Sequence, residues 1–83
     1  MRLLSFRPNP TNGLLFVDVD PLQATNLELS ISNLLGATVL RQGHSVSSAT
    51  QLMLDLSDQP NGVYLVRVKG AGRAVHQRVI LSR

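Results

Sequence analysis

His44 and His76 are the only imidazoles in a chain of 83 residues that contains no cysteine. A metal centre needs three or four converging ligands. The chain has five acids in all, so a site at either histidine would have to draw carboxylates from distant segments. Both histidines therefore read as exposed residues, His44 in a polar loop and His76 in the last strand, and no metal is expected. Asp18 and Asp20 stand two apart, which puts both carboxylates on one face of an extended segment. Calcium prefers more oxygens than this pair supplies, so the pair reads as acids at the end of a strand. Ser5, Ser30, Ser32, Ser45, Ser47, Ser48, Ser57 and Ser82 all lie outside a G-x-S-x-G turn. Gly70-Ala71-Gly72 precedes another strand-like run, which makes it a hairpin glycine pair and not a phosphate loop. With no thiol to act as nucleophile, no catalytic constellation can be assembled. Neither an enzyme nor a cofactor is expected.

The other chemically active feature is charge. The chain carries eight Lys and Arg, with a formal net charge of +3. Arg67, Lys69, Arg73, Arg78 and Arg83 crowd into the C-terminal stretch, with no acid among them. Such a run is either a solvated strand face, the favoured reading, or a nucleic-acid surface. Nucleic acid is the weaker reading, because Phe6, Phe16 and Tyr64 are the only aromatics and base-stacking platforms are hard to build from them.

Those cations are positioned by short extended segments. Leu27, Leu29 and Ile31 alternate with Glu28, Ser30 and Ser32 between Asn26 and Leu34, the period of a half-buried strand. The same alternation runs through Leu52, Leu54 and Leu56. In VYLVRVK (63–69), Tyr64, Val66 and Val68 share one face, and Val63, Leu65, Arg67 and Lys69 share the other. Further strands are expected over 3–7, 14–19, 38–42 and 74–82, the last with Val75, Val79 and Leu81 on one face. GHSVSSA (43–49) reads as a polar loop. Asn33-Leu34-Leu35-Gly36 reads as a hairpin turn with Gly36 at positive φ. Gly62, after Pro60-Asn61, is also expected at positive φ. Seven strands divided by turn signals, with no helical periodicity, predict an all-β chain folded as an Ig-like antiparallel β-sandwich, a single domain over 1–83.

PNPTNG (8–13) is the stiffest piece of the chain. A residue before proline is pushed toward extended conformations, and Asn12-Gly13 tolerates positive φ. The prolines lack N–H donors, which keeps the segment out of a central ladder. It predicts a rigid corner between the first two strands. No apolar run reaches the ~20 residues of a membrane helix, so no transmembrane segment is expected. Residues 1–6 resemble the start of a signal peptide, but Arg7 and Pro8 interrupt them before an apolar core forms. Either the sequence is a piece of a longer protein, or the protein is not exported by this N-terminus.

Three pieces occur in order: Pro8-Asn9-Pro10-Thr11-Asn12-Gly13; Asn33-Leu34-Leu35-Gly36 leading into Val39-Leu40; and Asp55-Leu56-Ser57 with Pro60-Asn61-Gly62-Val63-Tyr64-Leu65-Val66-Arg67-Val68. A strand carrying Arg78-Val79-Ile80-Leu81 follows. From about Pro8 to Arg83 the chain resembles the type A C-terminal sorting domain of type IX (Por) secretion cargo, found on exported proteins of Bacteroidetes. The family's last strand is often lysine-rich, and here it carries arginine.

The resemblance implies an Ig-like sandwich at the C-terminus of a secreted or outer-membrane surface protein. It implies delivery by way of the periplasm, with the type IX translocon and a surface sortase as partners and an N-terminal cargo domain upstream. It also implies structural roles for Pro8, Asn9, Pro10, Gly13, Gly36, Gly62, Tyr64, Val66 and Val68. Translocon recognition is expected at Arg67, Lys69, Arg78 and Arg83, on a terminal hairpin whose last strand is an edge open to strand addition or to pairing of two copies. The alternative is an Ig-like carbohydrate- or protein-binding adhesion module of a cell-surface protein, since fold alone does not choose between them.

Overall fold

Period-two alternation becomes seven strands and no helix in the computed structural model, which describes residues 2–8, 10–70 and 72–83. Asn9 of the first motif and Ala71 of the last turn lie outside the described residues. The strands are β1 (Arg2–Arg7), β2 (Leu14–Asp20), β3 (Thr25–Ser32), β4 (Thr38–Val46), β5 (Thr50–Asp55), β6 (Gly62–Gly70) and β7 (Arg73–Leu81). They form two antiparallel sheets, one ordered β1-β2-β5 and the other β4-β3-β6-β7.

The apolar residues of each alternation face the opposite sheet. Leu15, Val17, Val19, Leu52, Leu54 and Leu56 come from the first sheet. Leu27, Leu29, Ile31, Tyr64, Val66, Val68, Val79 and Leu81 come from the second, and together they make one buried cluster. This is the core of a β-sandwich, built from aliphatic side chains with a single buried aromatic, as so few aromatics require. Val75 is only half-buried, because it sits on the edge strand β7 toward the Gly70–Arg73 end.

Two expectations need correction. Residues 43–46 are not loop: β4 runs on to Val46, with Leu27 opposite His44 and Thr25 opposite Val46. Backbone pairing with β3 outweighs the low strand propensity of Gly43 and Ser45, and Val46 reaches the core. His44 is consequently half-buried on the inner side of edge strand β4, with its Nε2 3.0 Å from Gln42 Oε1. The second correction is Gly62. Positive φ occurs at Gly13 (143°), Gly36 (87°) and Gly72 (75°), and Gly62 is not among them.

On the outer face of the three-stranded sheet, one carboxylate ties the strands together. Asp18 accepts hydrogen bonds from Ser5 Oγ (2.6 Å), Arg7 Nε (3.0 Å) and Gln51 Nε2 (3.3 Å), one donor each from β1 and β5 plus the arginine that ends β1. The Ser5 hydroxyl first, and then Arg7, hold the Asp18 carboxyl below the usual carboxylate range.

Candidate recognition surface

The register brings all three sequence motifs to one end of the sandwich. At this pole lie the β1–β2 connection with Thr11, the β3–β4 turn with Asn33–Gly36, the β5–β6 loop with Leu56–Asn61, and the residues that follow β7. The first residue of β1, Arg2, pairs with Asp20 at the opposite end.

Side-chain to backbone hydrogen bonds knit the motif pole. Thr11 is buried, and its three polar groups make four hydrogen bonds. Its N–H donates to Ile80 O (2.8 Å) and its carbonyl accepts from Ser82 N (2.9 Å), forming a parallel bridge to the outer edge of β7. Its hydroxyl donates to Leu14 O (2.5 Å) and accepts from Gly13 N (3.1 Å). The corner thus does more than turn the chain: from the β1–β2 connection, Thr11 reaches the other sheet and covers the end of the last strand. Gly13 is required here by its backbone conformation. Its φ of 143° disfavours a side chain, and a Cβ would meet Ser57 Cα at 3.4 Å.

The β5–β6 loop is held as firmly. Tyr64 buries its ring in the core and donates its hydroxyl to Pro60 O (2.5 Å). Asp55 accepts from Ser57 N (2.8 Å), and the Ser57 hydroxyl and N–H hold its carboxyl below the usual range. Asn61 receives the backbone N–H of Arg83 (3.1 Å) and donates to its carbonyl (3.4 Å). The Arg83 guanidinium donates to Ser57 O (2.7 Å), to Leu56 O (3.4 Å) and to Gln59 O. Arg83 is therefore a staple across this loop, which no local pattern in the sequence signals.

The remaining basic residues occupy the outer face of the four-stranded sheet. Register places Arg41, Ser30, Arg67 and His76 in one row across β4, β3, β6 and β7. Lys69 lies in the next row beside Glu28, and Arg78 in the row on the other side beside Leu65. Arg67, Lys69 and Arg78 thus share one face, while Arg83 stands apart from them at the pole. Arg41 and His76 join the row unforeseen, because cross-strand neighbours depend on register. Glu28 is the one acid on this face, and its carboxylate lies 3.9 Å from Arg41 in an exposed pair of little energetic weight. Among the described residues, neither Arg67 nor Lys69 has a carboxylate within ion-pair distance.

At the motif pole this basic face turns apolar. Leu34 and Leu35 project from the β3–β4 turn at 78% and 94% exposure, and Leu65 and Ile80 remain 44% exposed behind them. The described residues include no cluster of three metal-ligating side chains, and no helix is long and apolar enough to cross a membrane. The arrangement offers a charged sheet face and a rigid pole, features suited to being bound.

No curated protein matches the chain. The family model for the secretion system C-terminal sorting domain matches residues 5–82, and the chain belongs to that family, the C-terminal sorting domains of type IX secretion.

Proposed function

We propose that the domain acts as a folded address label whose outer basic face is read by the type IX translocon and which a surface sortase then removes. Family membership makes it a C-terminal sorting signal that interacts with the type IX secretion machinery and directs its protein to secretion or the cell surface. A signal of this kind needs recognition and no chemistry of its own.

One observation carries the finer reading: Arg67 and Lys69 lie on the outer sheet face with no carboxylate within ion-pair distance among the described residues, while the alternate residues of the same strand, Tyr64, Val66 and Val68, are locked in the core. Cations on a rigid sheet steer an acidic partner at little ordering cost. A cargo domain joined ahead of β1 would leave from the end opposite the motif pole, so that pole stays accessible. Gln77 donates to Arg78 O (3.1 Å) and Thr11 covers the end of β7, so strand addition would be confined to the part of the edge nearer Arg73.

The Ig-like arrangement is supported by the Tyr64–Pro60 bond, which matches the tyrosine corner of that fold. It is supported also by the chain's passage between sheets after β2, β4 and β5.

The test is a reporter fused ahead of residue 1 in a host with a type IX system. The reading predicts reporter on the surface or in the medium, with a mass showing that the domain has been cut away. Reporter retained inside the cell would refute delivery, and surface reporter with the domain still attached would refute removal.

A further inference from the structure

The β3–β4 turn is built to display two leucines. Asn33 Oδ1 accepts the N–H groups of Leu35 and Ala37, both at 3.0 Å. Asn33 N donates to Ala37 O (3.0 Å), Gly36 N donates to Asn33 O (3.0 Å), and Gly36 supplies the positive φ that closes the turn. These bonds hold Leu34 and Leu35 in place, yet neither residue packs on the core. A single exposed leucine, such as Leu22, needs no cause, but two adjacent ones beside the part-exposed Leu65 and Ile80 make an apolar patch of the kind that marks an interaction surface.

Beside the turn lies a shallow groove of about 350 Å³ between Leu34 and the outer face of β6, walled by Val63, Leu65 and Arg78. The row Arg41–Ser30–Arg67–His76 begins directly behind it. We propose that this groove seats a protein segment of the secretion machinery that presents an apolar side chain beside carboxylates. The inference rests on the sorting-signal reading and names the contact surface for it.

Three features select that occupant. The groove is concave, which suits a side chain better than a lipid surface. Its floor is aliphatic, and its flank is cationic with Glu28 as the one acid on the whole face, so the complementary segment is apolar and acidic. The turn is preorganised, so binding orders little of the domain, and buried leucine can act as an anchor.

The test uses the reporter fusion in a type IX host. The double variant Leu34→Ser/Leu35→Ser should retain wild-type thermal unfolding, since both side chains are exposed, and should lower surface delivery by about tenfold or more, the loss expected for a two-residue hot spot. A photo-cross-linking residue at position 35 should form an adduct with a protein of the translocon. The same residue at Met53, on the outer face of the other sheet, should not. Wild-type delivery by the double variant, or an adduct at position 35 with lipid alone, overturns the inference and leaves the sorting reading standing. Failure of the unmodified fusion to reach the surface removes that reading and this inference with it.

Discussion

The two ends of this sandwich are made differently. At the motif pole, Thr11, Asn33 and Tyr64 spend side chains on nearby backbone groups, while the Thr11 backbone, Asn61 and Arg83 tie loops distant in sequence to the residues at the end of β7 and beyond. At the other end, around residues 21–24, 47–49 and 72, the side-chain hydrogen bonds stay within a connection or between paired strands: Thr50 Oγ1 to Ser48 O (2.7 Å), Thr25 Oγ1 to Asn26 O (3.5 Å) and Ser45 Oγ to Asn26 Oδ1 (2.8 Å). Both poles cap the same core. The difference teaches that the three motifs read in the sequence meet as the fastenings of one pole.

The largest effect should come from breaking the central fastening. Thr11→Val keeps the side chain's volume but leaves Gly13 N without its acceptor in a buried place and Leu14 O without its donor in a part-buried one, and should lower stability by ~2 kcal/mol in denaturant unfolding. Gly70→Ala tests whether the plain pole is as permissive as it looks. There a Cβ would come 2.3 Å from Leu27 Cδ2 and 3.0 Å from Asn26 O, so the cost should be ~1–2 kcal/mol, arising from packing and not from hydrogen bonds.

Asp18 lies on a sheet face away from the motif pole's fastenings and separates strand bracing from pole bracing. Its carboxyl titrates lower in the folded state than in the unfolded chain, so its contribution is full above the ordinary carboxylate range near 3.8 and is lost as pH falls through the folded value. Asp18→Asn should reduce stability at neutral pH, and the gap from wild type should close as pH falls below that range in acid titrations followed by circular dichroism. The smallest effect belongs to Gly62→Ala. With an ordinary φ and nothing within 4 Å of the new methyl group, it should change stability by less than about 0.5 kcal/mol, or raise it slightly.

The strands were legible because a sandwich core enforces period two. Leu27-Leu29-Ile31 and Tyr64-Val66-Val68 are buried as their alternation requires, and Asn33–Gly36 formed the turn its residues specify. What escaped local reading depended on partners far along the chain. His44 looked like loop because its strand character comes from pairing with Leu27. Gly62 looked like a left-handed turn residue, but Tyr64 and Asn61 fix that loop without it. Arg83 looked like one more surface cation, and its place on the carbonyls of Leu56 and Ser57 follows from where β7 ends beside the β5–β6 loop. The basic row was half visible: Arg67 stood out in its strand, while Arg41 and His76 joined it only through register.

On the function proposed, the basic face of the four-stranded sheet is what the secretion machinery reads. The most direct measurement is surface delivery of a reporter fused to the Arg67→Glu/Lys69→Glu domain, with thermal unfolding of the same protein as control. Both side chains point away from the core, so the melting temperature should stay near wild type while delivery falls by about tenfold or more. Undiminished delivery by the charge-reversed domain would contradict the account.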